Sequence, residues 1–93
     1  MAWRVTWTDS AWRELEDAAS YIAQDSPRYA AALMGDAWSA ARSLKQWPRR
    51  GRTVPEFDNP AVREIFVKSY RLIYEVHDNR VVILAFIHGA RQL

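Results

Sequence analysis

Residues 81–87 restrict the possible folds of this chain more than any other segment. All seven are apolar, without the alternating polar positions of a strand that has one face in water. The run therefore predicts a central strand that is covered on both faces. Segments 62–67 and 70–77 are two further strand candidates, and Asp78-Asn79 has the composition of a hairpin turn just before the apolar run.

The first 25 residues have the pattern of one strand followed by one helix. Residues 3–7 alternate apolar and polar side chains, which is typical of a half-buried strand. Thr8, Asp9 and Ser10 are all favourable N-cap residues, so a helix should begin near Ala11. Its amphipathic pattern continues to about Asp25.

Ser26-Pro27 separates this helix from a second one, with Ser26 as N-cap and Pro27 at the first helical position. Apolar residues then recur at helical spacing to about Gln46, and Pro48 ends the pattern. Gly35 weakens a helix interior. Together with the many alanines of both helices, it predicts that the two helices approach closely in an antiparallel hairpin.

The order β-α-α-β-β-β predicts an α+β fold. We expect a helical hairpin packed on one face of a mainly antiparallel sheet of about four strands. Residues 53–60 contain two prolines and are expected to form an irregular loop. A length of 93 residues suits one domain and not two, so residues 1–93 are expected to form a single domain.

Several classes of function are excluded by what the sequence lacks. It has no cysteine, hence no disulfide, thiolate metal site or cysteine nucleophile. Three glycines cannot supply a phosphate-binding or dinucleotide-binding loop, and two histidines make a poor basis for a zinc site. No apolar run is long enough to span a membrane, and there is no signal-peptide pattern. We therefore expect a cytoplasmic protein without cofactor, metal or membrane association.

Positive charge is concentrated in the second half of the chain. Residues 1–41 carry three arginines against six acidic residues, a net charge of −3, whereas residues 42–93 carry ten cations against five acidic residues, a net charge of +5. Arginine suits phosphate because its planar guanidinium binds two oxygens at once. Arg49, Arg50 and Arg52, in one turn, are a candidate surface for a basic-patch partner or nucleic acid. The alternative is a solvated surface that is simply rich in arginine.

A group of polar residues in the same half could carry chemistry: Glu56, Arg63, Arg71, His88 and Arg91. If they converge, they resemble the equipment for cleaving an RNA phosphodiester. Glu56 or His88 would serve as base or acid, and the arginines would bind the charge that develops on phosphorus. The alternative is structural, with Arg71 paired to Glu64 or Glu75 and His88 capping a strand end.

The chain resembles the RelE/ParE toxin superfamily over nearly its whole length. The resemblance rests on VREIFV at 62–67, YRLIYEV at 70–76, the apolar strand that ends in HGAR at 88–91, the Ser26-Pro27 break and the Pro48–Gly51 spacing. It implies the toxin of a bacterial type II toxin–antitoxin system, which a cognate antitoxin neutralises by wrapping an extended segment around it in a hetero-oligomer.

Two mechanisms occur in this superfamily. RelE-like members cleave mRNA on the ribosome without a metal, whereas ParE-like members inhibit DNA gyrase. By resemblance, Arg71 matches a catalytic arginine of the ribonucleases and Arg91 their second arginine. Arg63 stands where RelE has the first of two catalytic lysines, and Glu56 matches the glutamate base of the YoeB branch.

The chain departs from the ribonuclease pattern at two places. The second lysine position holds Ile65, and no tyrosine follows His88. The long helical hairpin, the Pro48–Gly51 turn and the His-x-x-Arg motif favour the ParE-like branch. The alternatives are a RelE-like mRNA endonuclease and a degenerate member that only binds its antitoxin.

Overall fold

Two helices and five strands make up the described part of the chain, which is residues 3–91 of a computed structural model. In chain order they are β1 (Arg4–Trp7), α1 (Asp9–Ala23), α2 (Pro27–Ser43), β2 (Arg52–Thr53), β3 (Val62–Val67), β4 (Tyr70–Val76) and β5 (Arg80–His88). The predicted α+β class and the predicted element order are confirmed.

The strands form one sheet in the order β1-β5-β4-β3-β2. Strands β2 to β5 pair antiparallel with their neighbours, whereas β1 pairs parallel to β5. The sheet has one strand more than the four expected, because β2 lies within the segment predicted as a loop. With only two residues, β2 is too short to show a period-2 pattern, and its pairing with β3 defines it.

Strand β5 lies between β1 and β4, as its apolar sequence predicts. Its side chains contribute to two cores. Val81, Ile83 and Phe86 belong to the larger core, which the helices cover. Ile87 packs in a smaller cluster on the opposite face of the sheet, covered by Val54 from the segment after β2.

Side-chain caps fix the starts of both helices. Thr8 Oγ1 accepts a hydrogen bond from Ala11 N at 3.1 Å, so α1 begins at Asp9, slightly earlier than expected. Ser26 Oγ accepts from Tyr29 N at 3.1 Å with Pro27 as first helical residue, which confirms that prediction. The α-helical part of α2 ends at Ser43, and turns replace its expected last residues.

The close helix approach expected at Gly35 is wrong. A Cβ atom added to Gly35 would meet nothing within 4 Å. Leu33 and Ala37, which flank it, are fully buried. Two positions from each of them, Gly35 lies on the far side of the helix because successive residues are about 100° apart. Gly35 therefore faces solvent.

The turn before β2 depends on Gly51. A Cβ atom here would lie 2.5 Å from Glu64 O and 2.6 Å from Tyr74 Oη, a contact that real structures do not tolerate. Gly51 N donates a hydrogen bond of 2.9 Å to Tyr74 Oη, whose residue is fully buried. Burial raises the pKa of the Tyr74 hydroxyl, although the bond from Gly51 N opposes this shift.

Candidate functional site

Arg71, at the second position of β4, lies at the centre of a buried network of ion pairs. Its Nε donates to Glu64 Oε1 at 2.6 Å. Its Nη1 and Nη2 donate to the two carboxylate oxygens of Glu56 at 2.9 and 2.8 Å, and Nη1 also donates to Arg91 O at 3.1 Å. All three guanidinium nitrogens thus have acceptors within the protein.

Glu64 is the buried partner that holds this network together. Its side chain has 0% exposure, and it accepts from Arg71 on one oxygen and from Arg52 Nε at 2.6 Å on the other. The hydrogen bond from Glu56, followed by the contacts with Glu64, raises the pKa of Arg71 above its ordinary value against the opposing effect of burial. Arg71 therefore stays charged, and the predicted structural pairing of Arg71 with Glu64 is present.

The candidate catalytic residues lie on two opposite faces of the sheet. Side chains alternate along a strand, so Arg71 points away from the helices while Tyr70 and Leu72 pack toward them. His88 contacts the ring of Tyr70 with centroids 5.5 Å apart, which places its side chain on the helix-covered face. Arg63 pairs in register with Tyr74, which is also part of the core under the helices.

Arg63 and His88 are also far apart on the face that they share. Arg63 is opposite Tyr74 of β4 and His88 is opposite Tyr70, so about 13 Å of strand separates their positions. Arg63 Nη1 donates to Gly51 O at 2.9 Å, which ties this side chain to the turn. Its Nε is buried and has no hydrogen-bond partner among the described residues.

His88 and Arg91 are exposed and line an open cavity of about 290 Å³ beside α1. Glu14 and Asp17 of α1 line the same cavity, so its charges are mixed. His88 Nδ1 accepts a hydrogen bond of 3.3 Å from Ala90 N, a local contact at the end of β5 like the strand-end cap weighed for it. The structure therefore brings Arg71 together with Glu56 and the Arg91 backbone, and brings neither Arg63 nor His88 to them.

The three arginines of the predicted basic surface are exposed but point to different places. Arg50 Nη1 donates to Ser43 Oγ at 2.6 Å. Arg52 contacts Glu64 and lies over the ring of Phe66, 5.5 Å from its centroid. Arg49 lies over the ring of Trp3 at 5.8 Å and lines a separate cleft.

That cleft also contains Arg4 and Arg80, which the sequence analysis did not single out. These residues are distant in the chain, and only the parallel pairing of β1 with β5 brings them together. The signal was available in principle, since β1 and the segment after Asp78 were both predicted as strands, but their adjacency was not.

Within residues 3–91, no group of three or more histidine, aspartate or glutamate side chains is arranged to hold a metal ion. In the same range, neither helix is long and apolar enough to cross a membrane.

Comparison with known proteins identifies the family. Residues 5–93 match the family described as the ParE toxin of the type II toxin–antitoxin system parDE. The chain is 35% identical over 89 residues to toxin RelE2 of Caulobacter vibrioides, covering 95% of this chain and 97% of that protein.

Two solved structures have the same fold. The chromosomal ParDE system from P. aeruginosa matches with a TM-score of 0.75 and 20% identity, covering 94% of this chain and 96% of the other. The RelBE2 toxin–antitoxin complex of Mycobacterium tuberculosis matches with a TM-score of 0.63 and 26% identity, covering 98% and 95%. The fold, the conserved order of its elements and the match over residues 5–93 lead to one assignment: this chain belongs to the ParE toxin family, within the RelE/ParE superfamily of type II toxin–antitoxin toxins.

Proposed function

We propose that this toxin acts as a ParE-like inhibitor of DNA gyrase and that a cognate antitoxin neutralises it in a hetero-oligomeric complex in the cytoplasm. The observation that carries the gyrase proposal is the division of the candidate catalytic residues between the two faces of the sheet. Metal-independent RNA cleavage needs a base, an acid and cations around a single phosphate. Arg63 and His88 cannot reach a phosphate bound at Arg71 in this arrangement, because the sheet itself stands between them.

The state of Arg71 supports the same proposal. Its side chain is 6% exposed, and its donors are bound to Glu56, Glu64 and the Arg91 carbonyl. A phosphate would have to displace the bidentate Glu56 contact, and a carboxylate beside the guanidinium repels an incoming anion. A role in protein–protein contacts requires no such displacement.

An antitoxin partner is supported by the two structural relatives, both of which are toxin–antitoxin systems by description. The relative at 26% identity is a complex of toxin with antitoxin and covers nearly the whole chain. Exposed aromatic side chains on the helices, such as Trp38 at 59% exposure, offer apolar area to a protein partner.

A second candidate function is mRNA endonuclease activity on the ribosome. One contact favours it: the two oxygens of Glu56 lie 2.8 and 2.9 Å from Arg71, so a base and a cation would be adjacent if the segment that carries Glu56 moved away from the sheet. The RelE2 name of the relative at 35% identity points the same way.

The test is to express the toxin without an antitoxin and follow two readouts in parallel. Plasmid supercoiling and gyrase-dependent DNA breaks report on gyrase, and primer extension on translated mRNA reports on cleavage. We expect loss of supercoiling with intact mRNA. Cleaved mRNA with normal supercoiling would overturn the gyrase proposal, and growth without either effect would indicate a module that only binds its antitoxin.

His88→Ala provides a matched control variant. His88 is exposed and its one described hydrogen bond is local, so its removal should leave the fold intact. The variant should inhibit gyrase as well as the parent toxin does. Loss of toxicity together with loss of mRNA cleavage in this variant would instead support the nuclease function.

A further inference from the structure

An open cleft of about 890 Å³ lies at the end of the sheet where β1 begins and the β4–β5 hairpin turns. Three arginines from separate parts of the chain line it: Arg4 of β1, Arg49 of the turn after α2, and Arg80 of β5. All three are exposed. The cleft is distinct from the Arg71 network and from the cavity beside His88.

Arg4 and Arg80 are direct partners in the parallel pairing of β1 with β5. The next residues, Val5 and Val81, pack toward the core under the helices, so both arginines project from the opposite face. Neighbouring strands are about 4.8 Å apart, and like charges placed directly opposite each other destabilise a sheet. The pair thus costs stability unless an anion lies between the guanidinium groups.

The carboxylates of the cleft do not neutralise these arginines. Glu75 Oε1 contacts His77 Nε2 at 3.3 Å, and Asp78 belongs to the hairpin turn. Within residues 3–91, Arg4, Arg49 and Arg80 take part in no ion pair. Three guanidinium groups are therefore available to an external anion.

We propose that this cleft, called here the Arg4–Arg49–Arg80 cleft, binds the phosphate backbone of duplex DNA. Guanidinium groups bind phosphate oxygens in pairs, which suits a row of phosphodiesters. Single-stranded nucleic acid is normally held by aromatic side chains on which bases stack. The aromatic ring nearest this cleft, Trp3, already lies under the guanidinium of Arg49, so the cleft offers contacts to phosphate without a stacking platform.

The choice of DNA rests on the proposed gyrase function, because gyrase holds a duplex segment on its surface. A toxin that inhibits gyrase while touching this segment would contact protein and DNA together. The cleft would then strengthen a toxin–gyrase–DNA complex rather than recognise a sequence, since phosphate contacts carry no sequence information.

Binding of purified toxin to a fluorescent 20-base-pair duplex, measured by anisotropy at several salt concentrations, tests the proposal without gyrase. Three phosphate contacts predict a slope of about −2.7 for the logarithm of affinity against that of salt, hence an affinity loss of about 40-fold from 50 to 200 mM salt. The double variant Arg4→Ala/Arg80→Ala should have a slope of about −0.9 and lose only about 3.5-fold over that range.

The matched control is Arg13→Ala/Arg28→Ala, which removes two exposed arginines from the helices and the same total charge. It should keep a slope of about −2.7 if the contact is local to the cleft. Equal effects of the two double variants would overturn the proposal, because the binding would then reflect net charge alone. The Arg4→Ala/Arg80→Ala variant should melt at the same temperature as the parent or higher, since a like-charge pair is removed.

Two further measurements separate this inference from the proposed function. Tighter binding of a single-stranded RNA of equal length would overturn the choice of duplex DNA. In a supercoiling assay, the cleft variant should need several-fold more toxin for equal inhibition. Loss of duplex binding with unchanged gyrase inhibition would overturn the role of the cleft but leave the gyrase proposal standing, and DNA binding without any gyrase inhibition would do the reverse.

Discussion

Replacement of Arg71 by alanine should destabilise the toxin severely, whatever its effect on activity. The Glu64 side chain has 0% exposure, and without Arg71 it keeps only the contact with Arg52, whose own side chain is 59% exposed. Removing one partner of a buried ion pair costs about 3–5 kcal/mol because the other charge remains buried. Small proteins have only about 5–15 kcal/mol of stability in total. We expect the free energy of unfolding of Arg71→Ala to fall by about 3–5 kcal/mol.

Urea denaturation followed by tryptophan fluorescence measures this loss. Two variants serve as controls. Arg52→Ala removes the exposed partner of the same carboxylate and should cost about 1 kcal/mol or less. The double variant Glu64→Met/Arg71→Met removes both buried charges and should recover most of the loss, since a buried ion pair can be replaced by apolar residues of similar volume.

An Arg71→Ala variant within about 1 kcal/mol of the parent would refute this reasoning. Arg71 would then contribute little to the fold, and its network would be a site kept for chemistry. The expected result has a practical consequence: lost toxicity in Arg71→Ala would not by itself identify a catalytic arginine, because an unfolded toxin is also inactive.

Two other perturbations follow from the turn before β2 and from the helix that precedes it. Tyr74 has a raised pKa in the folded protein, so its hydroxyl ionises first in the unfolded chain; stability should be constant below about pH 10 and fall above it, and Tyr74→Phe should reduce that fall in urea titrations from pH 8 to 11. At pH 8 the same variant should be less stable by about 1–3 kcal/mol because Gly51 N loses its acceptor, and equal stability would contradict this role. Gly51→Ala should lower the melting temperature by several degrees because its Cβ meets backbone at 2.5 Å, whereas Gly35→Ala, with open space around it, should add up to about 1 kcal/mol; a tolerated Gly51→Ala would disprove the close approach.

Local signals were sufficient for most of the fold. Ser26-Pro27 defines a helix start through one side-chain cap and one fixed φ, and the apolar run at 81–87 requires neighbours on both sides. Strand β2 was missed because its two residues are a strand only through their pairing with β3.

The candidate site was less predictable because it depends on register. A shift of one residue in strand pairing moves every side chain to the opposite face, and no local pattern fixed whether Arg63 and Arg71 share a face. They do not, since they lie on opposite sides of the sheet. The partnership of Arg4 with Arg80 depended on which strand lies beside β1, which the sequence left open.

The parallel pairing of β1 with β5 also affects when the protein can fold. The earliest strand to leave the ribosome has its hydrogen-bonding partner in the last strand of the sheet, with roughly 75 residues between them. At the usual rates of bacterial translation this interval lasts about 4–15 s. During that time the two helices have no sheet to cover and the first strand has no neighbour. The toxin therefore acquires its fold only after β5 has been made, and its harmful activity is delayed by the topology of its own sheet.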